Sequence, residues 1–161
     1  MFPALLVGAG TLIVSVLCYG LATALVVRLL ARLARAGYTA PGFWKDVAVM
    51  MVVTLITAAA HLVEIALWAV VLLLCGEMAT FEKALYCSAE NYTALGYGDV
   101  VLSERWRLLG PLEAVNGLLL VGLSTAVLFA ALSRLVANRF NEEVGPQAGP
   151  PRNQGPGSTD R

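Results

Sequence analysis

The segment Thr93-Ala-Leu-Gly-Tyr-Gly-Asp99 places two glycines either side of a tyrosine and closes on an acid. What such a stretch offers chemically is backbone. In an ordinary strand successive residues face opposite sides, so a chain whose carbonyls all face one axis must leave that geometry. Gly96 and Gly98 can take the positive φ values this requires at little steric cost. Carbonyl oxygens gathered in that way replace the water around a dehydrated cation, but one strand supplies only one wall, so several copies must surround an axis. A second candidate group is His61 with Glu64, three residues apart and therefore on one helical face.

Both groups lie in a chain with the composition of a membrane protein. Of its 161 residues 58% are hydrophobic with glycine left out and 14% are charged, against about 45–50% apolar and about 25% charged for a soluble domain. Spanning a bilayer takes about 20 largely apolar residues, and three stretches qualify. Residues 4–27 carry no charge, 47–75 contain only His61 and Glu64, and 108–133 contain only Glu113. The first span lacks the positive n-region and small-residue cleavage site of a secretory signal, so a retained helix is expected. The formal net charge of zero gives no argument for a nucleic-acid partner. Cys18, Cys75 and Cys87 lie in apolar surroundings without metal-ligand spacing and read as small buried hydrophobes.

Charge placement orients the spans. The first connection holds Arg28, Arg32, Arg35 and Lys45 against Asp46, and the third span ends on Arg134 and Arg139. The segment between the second and third spans is mostly acidic, with Glu77, Glu82, Glu90, Asp99 and Glu104. By the positive-inside rule the first connection and the C-terminus are cytoplasmic, which leaves the N-terminus and residues 93–99 outside.

Four parts follow along the chain. An N-terminal helix over 1–36 ends in basic residues that share one face at the membrane surface, and 37–46 form a basic cytoplasmic connection. Residues 47–137 follow, and 142–161, rich in Pro and Gly, read as a disordered cytoplasmic tail. Within 47–137, residues 80–92 read as a short helix with Thr80 as N-cap and Glu82 in the first turn. At roughly 1.5 Å per residue it reaches only about half-way through a bilayer. A half-helix followed by glycine-rich backbone is a re-entrant loop, tolerated at membrane depth only where protein or water satisfies it. Its C-terminal, negative dipole end favours a cation.

Ala94-Leu-Gly-Tyr-Gly98 resembles the Thr-Val-Gly-Tyr-Gly filter of potassium channels, and Thr93 and Asp99 extend the match. The surroundings resemble the small bacterial channels of that family: an outer helix over 47–75, a pore helix over 80–92, the filter at 93–99 and an inner helix over 108–137. The resemblance covers 47–137, and the N-terminal helix lies outside it. It implies an all-α membrane protein with three transmembrane helices, assembled as a homotetramer. Potassium would be the permeant ion, held by the carbonyls of Ala94, Leu95, Gly96 and Tyr97, with no other cofactor.

Tyr97 would point away from the pore and pack against the pore-helix cuff, where Tyr86 stands at a position often held by tryptophan. Glu90 occupies the place of a glutamate that pairs with the filter aspartate, here Asp99, and a shared proton is then expected; the alternative is that Glu90 meets Asn91, water or backbone. Two residues depart from the pattern. Ala94 stands for the usual threonine and removes a ring of hydroxyls from the innermost ion site. Leu95 is bulkier than the usual valine. Weaker occupancy at the inner site is expected, and Ala94→Thr is expected to strengthen it.

In the third span Gly117 stands where many such channels place a hinge, and Gly122 follows with the small residues Ser124, Thr125 and Ala126. These glycines serve either as hinges or for close packing. Thr125 can line a cavity, and Asn116 either faces that cavity or bonds a neighbouring helix. His61 and Glu64, ionisable within a span, are functional candidates. They read first as a polar clasp to the pore helix or the N-terminal helix, then as a proton-sensing gate, and last as a metal site that lacks a third ligand.

No nucleophile–base set or metal-ligand set appears, which argues against an enzyme and against a soluble small-molecule substrate. The leading expectation is a potassium-selective channel, multi-pass in a cell inner membrane and surrounded by lipid. Its rivals are a non-selective or weakly conducting relative and a non-conducting scaffold or accessory subunit.

Overall fold

The protein is described by a computed structural model covering residues 2–35 and 43–144, which form four α-helices: α1 (Phe2–Arg35), α2 (Phe43–Leu74), α3 (Phe81–Tyr92) and α4 (Leu109–Val144). Three contain stretches long and apolar enough to cross a membrane: Phe2–Arg32, Trp44–Leu74 and Leu109–Arg134. The chain is a multi-pass, all-α membrane protein, with no strand among the described residues.

Two boundaries differ from the sequence reading. The outer helix begins at Phe43 instead of 47, because no breaker follows Gly42 and Asp46 in the first turn complements the helix dipole. The inner helix runs on to Val144 instead of stopping at 137, since Asn138-Arg-Phe-Asn-Glu-Glu-Val144 contains neither glycine nor proline. Residues 142–144 are thus helical and do not belong to the tail. The Gly37–Gly42 connection and the tail from 145 lie outside the described residues.

α3 forms as its sequence predicts. Thr80 is extended at φ −137°, ψ 152°, and its side chain accepts the amide proton of Lys83 at 3.4 Å. Its buried residues include Ala84, Cys87 and Ser88, a spacing of three and four that turns one face inward. That face meets Trp68, Ala69 and Leu72 of α2 and Leu109 of α4 in the main apolar core. α3 is therefore a wedge between α2 and α4.

α1 is seated by small and polar residues. Ala4, Thr11, Ser15, Tyr19 and Val26 are buried and form a stripe, while Leu6, Leu17 and Leu21 on the other faces are exposed in the isolated chain. The stripe packs on both α2 and α4. Of the glycines along α1, Gly8 lies against Leu109 and Leu112, whereas Gly10 and Gly20 have open space beside them. Cys87 is buried but Cys18 is exposed, so the reading of all three cysteines as buried fails for Cys18.

Candidate functional site

Residues 93–99 follow α3 directly and all are exposed in the single chain. The amides of the first three residues are anchored to the end of that helix. The amide of Thr93 donates to the Ala89 carbonyl (3.1 Å), that of Ala94 to Asn91 (2.9 Å) and that of Leu95 to Glu90 (3.0 Å). The Thr93 hydroxyl donates to the Ala89 carbonyl at 2.7 Å. The carbonyls behave differently: among the described residues those of Ala94, Leu95, Gly96 and Tyr97 accept no hydrogen bond. Positive φ values recur at every second position, 55° at Ala94, 63° at Gly96 and 77° at Gly98, while Leu95 and Tyr97 between them do not share them. Backbone whose φ alternates in sign departs from ordinary strand geometry, as carbonyls directed to one axis require. Sequence reasoning named the two glycines and missed Ala94, whose Cβ makes that conformation unfavourable.

Two acids hold this segment, but not as a pair. Oε1 of Glu90 accepts the Gly98 amide proton at 3.0 Å, and Oδ2 of Asp99 accepts the Tyr86 hydroxyl proton at 2.9 Å. The carboxylate pair expected of Glu90 and Asp99 is therefore replaced by two separate bonds, and the backbone alternative for Glu90 is the one formed. The hydrogen bond to Asp99 holds the Tyr86 hydroxyl above its ordinary pKa, because losing that proton would set two anions together. Further along, the Glu77 carboxylate accepts from both the amide and the hydroxyl of Ser103, each at 2.7 Å, and ties the loop after the segment to the end of α2.

Leu95 is 56% and Tyr97 70% exposed in the single chain. Tyr97 meets no cuff within its own chain, so any cuff around it belongs to another copy.

Beneath the segment, Glu113 is fully buried at the start of α4. It is bonded to the Ser88 hydroxyl and to Nδ2 of Asn91 at 3.3 Å, and Ser88 also donates to the Ile65 carbonyl at 2.7 Å. α2, α3 and α4 meet at this one carboxyl. The sequence offered only the signal of a lone acid within a span. Beside it, burial first and then the charges of Glu113 and Glu90 push the Cys87 thiol up to about 11.

The remaining candidates resolve into packing and clasp roles. Gly117 lies against the end of α3: a side chain there would run into the Tyr92 carbonyl. α4 passes through it as one continuous helix, and the contact with Tyr92 is the close packing that one of the two readings expects. Gly122 has open space beside it. Thr125 is exposed, with its hydroxyl turned back to the Val121 carbonyl at 2.9 Å. Asn116 is fully buried and donates to Ser15 Oγ at 2.7 Å, which places it on α1 and away from a cavity.

His61 and Glu64 form the expected clasp. Glu64, 1% exposed, is bonded by the Ser15 hydroxyl of α1. His61 reaches the Tyr92 hydroxyl of α3 through Nδ1 at 2.8 Å and Ser124 Oγ of α4 through Nε2 at 3.2 Å. Burial keeps the Tyr92 hydroxyl well above its ordinary pKa, so it stays protonated and can donate. No group of three or more His, Cys, Asp or Glu able to hold a metal occurs among the described residues.

Residues 60–134 match the model of the ion channel family. The matched segment runs from within α2 through α3 and residues 93–99 to Arg134 of α4 and is similar to an ion channel domain; α1 lies outside the match. No curated protein and no solved structure matches the chain.

Proposed function

We propose that the chain is one of four identical subunits of a potassium-selective channel that passes ions passively along rings of backbone carbonyls. The observation that carries this reading is the row of four carbonyls, from Ala94 to Tyr97, that accept no hydrogen bond among the described residues beside φ values of alternating sign. Carbonyls held at membrane depth without partners cost several kcal/mol each unless something coordinates them. The amides of Ala94 and Leu95 are meanwhile bonded to the end of α3 and that of Gly98 to the Glu90 side chain, which leaves the row of carbonyls to meet a ligand. A cation on an axis shared by several copies supplies the missing partner for all four. The exposure of Leu95 and Tyr97 fits the same arrangement, because neighbouring copies would cover both.

The basic residues after the first and third spans set the orientation, with N-terminus and filter mouth outside a cell inner membrane and the C-terminus cytoplasmic. Potassium is the permeant ion and no further cofactor is required. Uptake of potassium into liposomes holding the purified chain, with sodium as competitor and barium as blocker, tests the proposal. Barium-sensitive uptake that favours potassium is expected; uptake that is absent, or equal for both ions, overturns it. Ala94, which brings no hydroxyl to the inner end of the filter, favours a second and weaker reading of low conductance.

A further inference from the structure

His61 sits where all four helices meet. Its ring faces Tyr19 of α1 at a centroid distance of 5.2 Å and Tyr92 of α3 at 5.9 Å, with Ser124 of α4 bonded to it and Glu64 one turn along its own helix. The direction of each hydrogen bond follows from counting protons. The Ser124 hydroxyl has one, and it points to the Val121 carbonyl at 2.8 Å. Ser124 Oγ can then only accept, so Nε2 of His61 carries the ring proton, with the Tyr19 hydroxyl a more distant neighbour at 3.5 Å. Nδ1 is left as a bare acceptor, and the Tyr92 hydroxyl donates to it at 2.8 Å. That hydroxyl has no other hydrogen-bond partner among the described residues.

Tyr92 is the last residue of α3, and the filter starts at the next one. It is 3% exposed, its carbonyl lies against Gly117, and its hydroxyl is held by His61. Both ends of the residue that launches the filter are therefore fixed, one by α4 and one by the histidine.

We propose that His61 is a positioning residue for the filter, holding the end of the pore helix to α2 and α4 through the chain Tyr92 to His61 to Ser124, with Tyr19 of α1 packed against its ring. Resting on the channel reading above, this makes α1 part of the frame of the pore, although it lies outside the family match. Protonating His61 turns Nδ1 into a donor facing the Tyr92 hydroxyl proton. The bond must then invert, and the hydroxyl proton loses its buried acceptor.

Potassium and sodium uptake into liposomes holding the full chain tests this, with His61→Leu, His61→Asn and Tyr92→Phe compared with the parent. Tyr92→Phe and His61→Leu are expected to lower the potassium-over-sodium ratio about three- to tenfold, the size of one buried hydrogen bond. His61→Asn keeps an amide oxygen toward Tyr92 in the place of Nδ1 but is too short to reach Ser124, and is expected to recover part of the ratio. Acidification is expected to lower the ratio in the parent and to leave Tyr92→Phe unchanged. If His61→Leu fails to assemble, Ser124→Ala, which removes only the far acceptor, is expected to show the same loss at smaller size. Ratios equal to the parent in every variant overturn the proposal while leaving the channel reading intact. If the parent passes no potassium, the channel reading fails, and amide exchange over residues 90–98 decides the positioning role: faster exchange in Tyr92→Phe supports it and an unchanged rate overturns it.

Discussion

The Glu90 carboxylate accepts the amide proton of Gly98 at 3.0 Å, eight residues further on, and so closes the 93–99 segment back onto the helix that precedes it. Glu90→Ala leaves that amide without a partner in a part-buried place, a loss of about 1–3 kcal/mol. The expected result is a filter that conducts less steadily, with faster decay of current after activation. Glu90→Gln keeps an oxygen acceptor and should retain most of the parent behaviour. Recordings of both variants at one pH check this, and equal behaviour of Ala and Gln would contradict it.

Tyr86 and Asp99 form the companion bond at 2.9 Å, at a place exposed in the single chain. Exchange with water offsets most of such a bond, so Tyr86→Phe is expected to change stability by less than about 1 kcal/mol. Thermal unfolding in detergent is the check, with Glu90→Ala as the larger effect for comparison.

Ala94 combines two opposing effects. Its φ of 55° disfavours any side chain, and a β-branched one most of all. Ala94→Thr is therefore expected to lose about 1–2 kcal/mol of stability while adding the hydroxyl missing from the inner ion site. Unfolding measured with and without potassium separates the two. A lower midpoint in sodium with a larger gain on adding potassium is the expected pattern.

Gly117 and Gly122 separate packing from hinge motion. Gly117→Ala drives a methyl group into the Tyr92 carbonyl, and forcing atoms into a filled contact costs about 1–3 kcal/mol. Gly122→Ala enters open space and should lie within about 0.5 kcal/mol of the parent. If both variants unfold at the parent temperature and differ only in gating, the hinge reading of Gly117 returns.

Cys87 reports on the seating of the pore helix. With its thiol pushed up to about 11 by burial, only about one molecule in a thousand carries the reactive thiolate near pH 8. Maleimide should leave Cys87 unmodified in the native protein and label it after unfolding in detergent, as peptide mass spectrometry would show.

Much of this was legible from residue types alone. The spans follow from uncharged runs, and α3 from Thr80, Glu82 and its length, all of which act within a few residues of chain. Gly96 and Gly98 announce their backbone because glycine is the residue for which positive φ is cheap. Ala94 gives no such sign, since an alanine does not announce a φ of 55°. The clasp was half legible: His61 and Glu64 stand out as ionisable groups within a span, but their partners look ordinary. Ser15, Tyr92 and Ser124 lie 49, 31 and 63 residues from the group each one bonds, and only helix packing brings them there. Glu113 was visible as a lone acid, yet its role depends on Ser88 and Asn91 arriving from another helix. The helix ends at Phe43 and Val144 were misplaced because hydrophobicity marks where the membrane stops, whereas breakers mark where a helix stops.

The central claim is that residues 94–97 form a potassium-selective ladder of carbonyls, and it is tested most directly by the reversal potential of currents through the purified chain in a planar bilayer. With potassium on one side and sodium on the other, the expected reversal lies far from zero, on the side set by potassium. A reversal at zero, or no current at all, would contradict it.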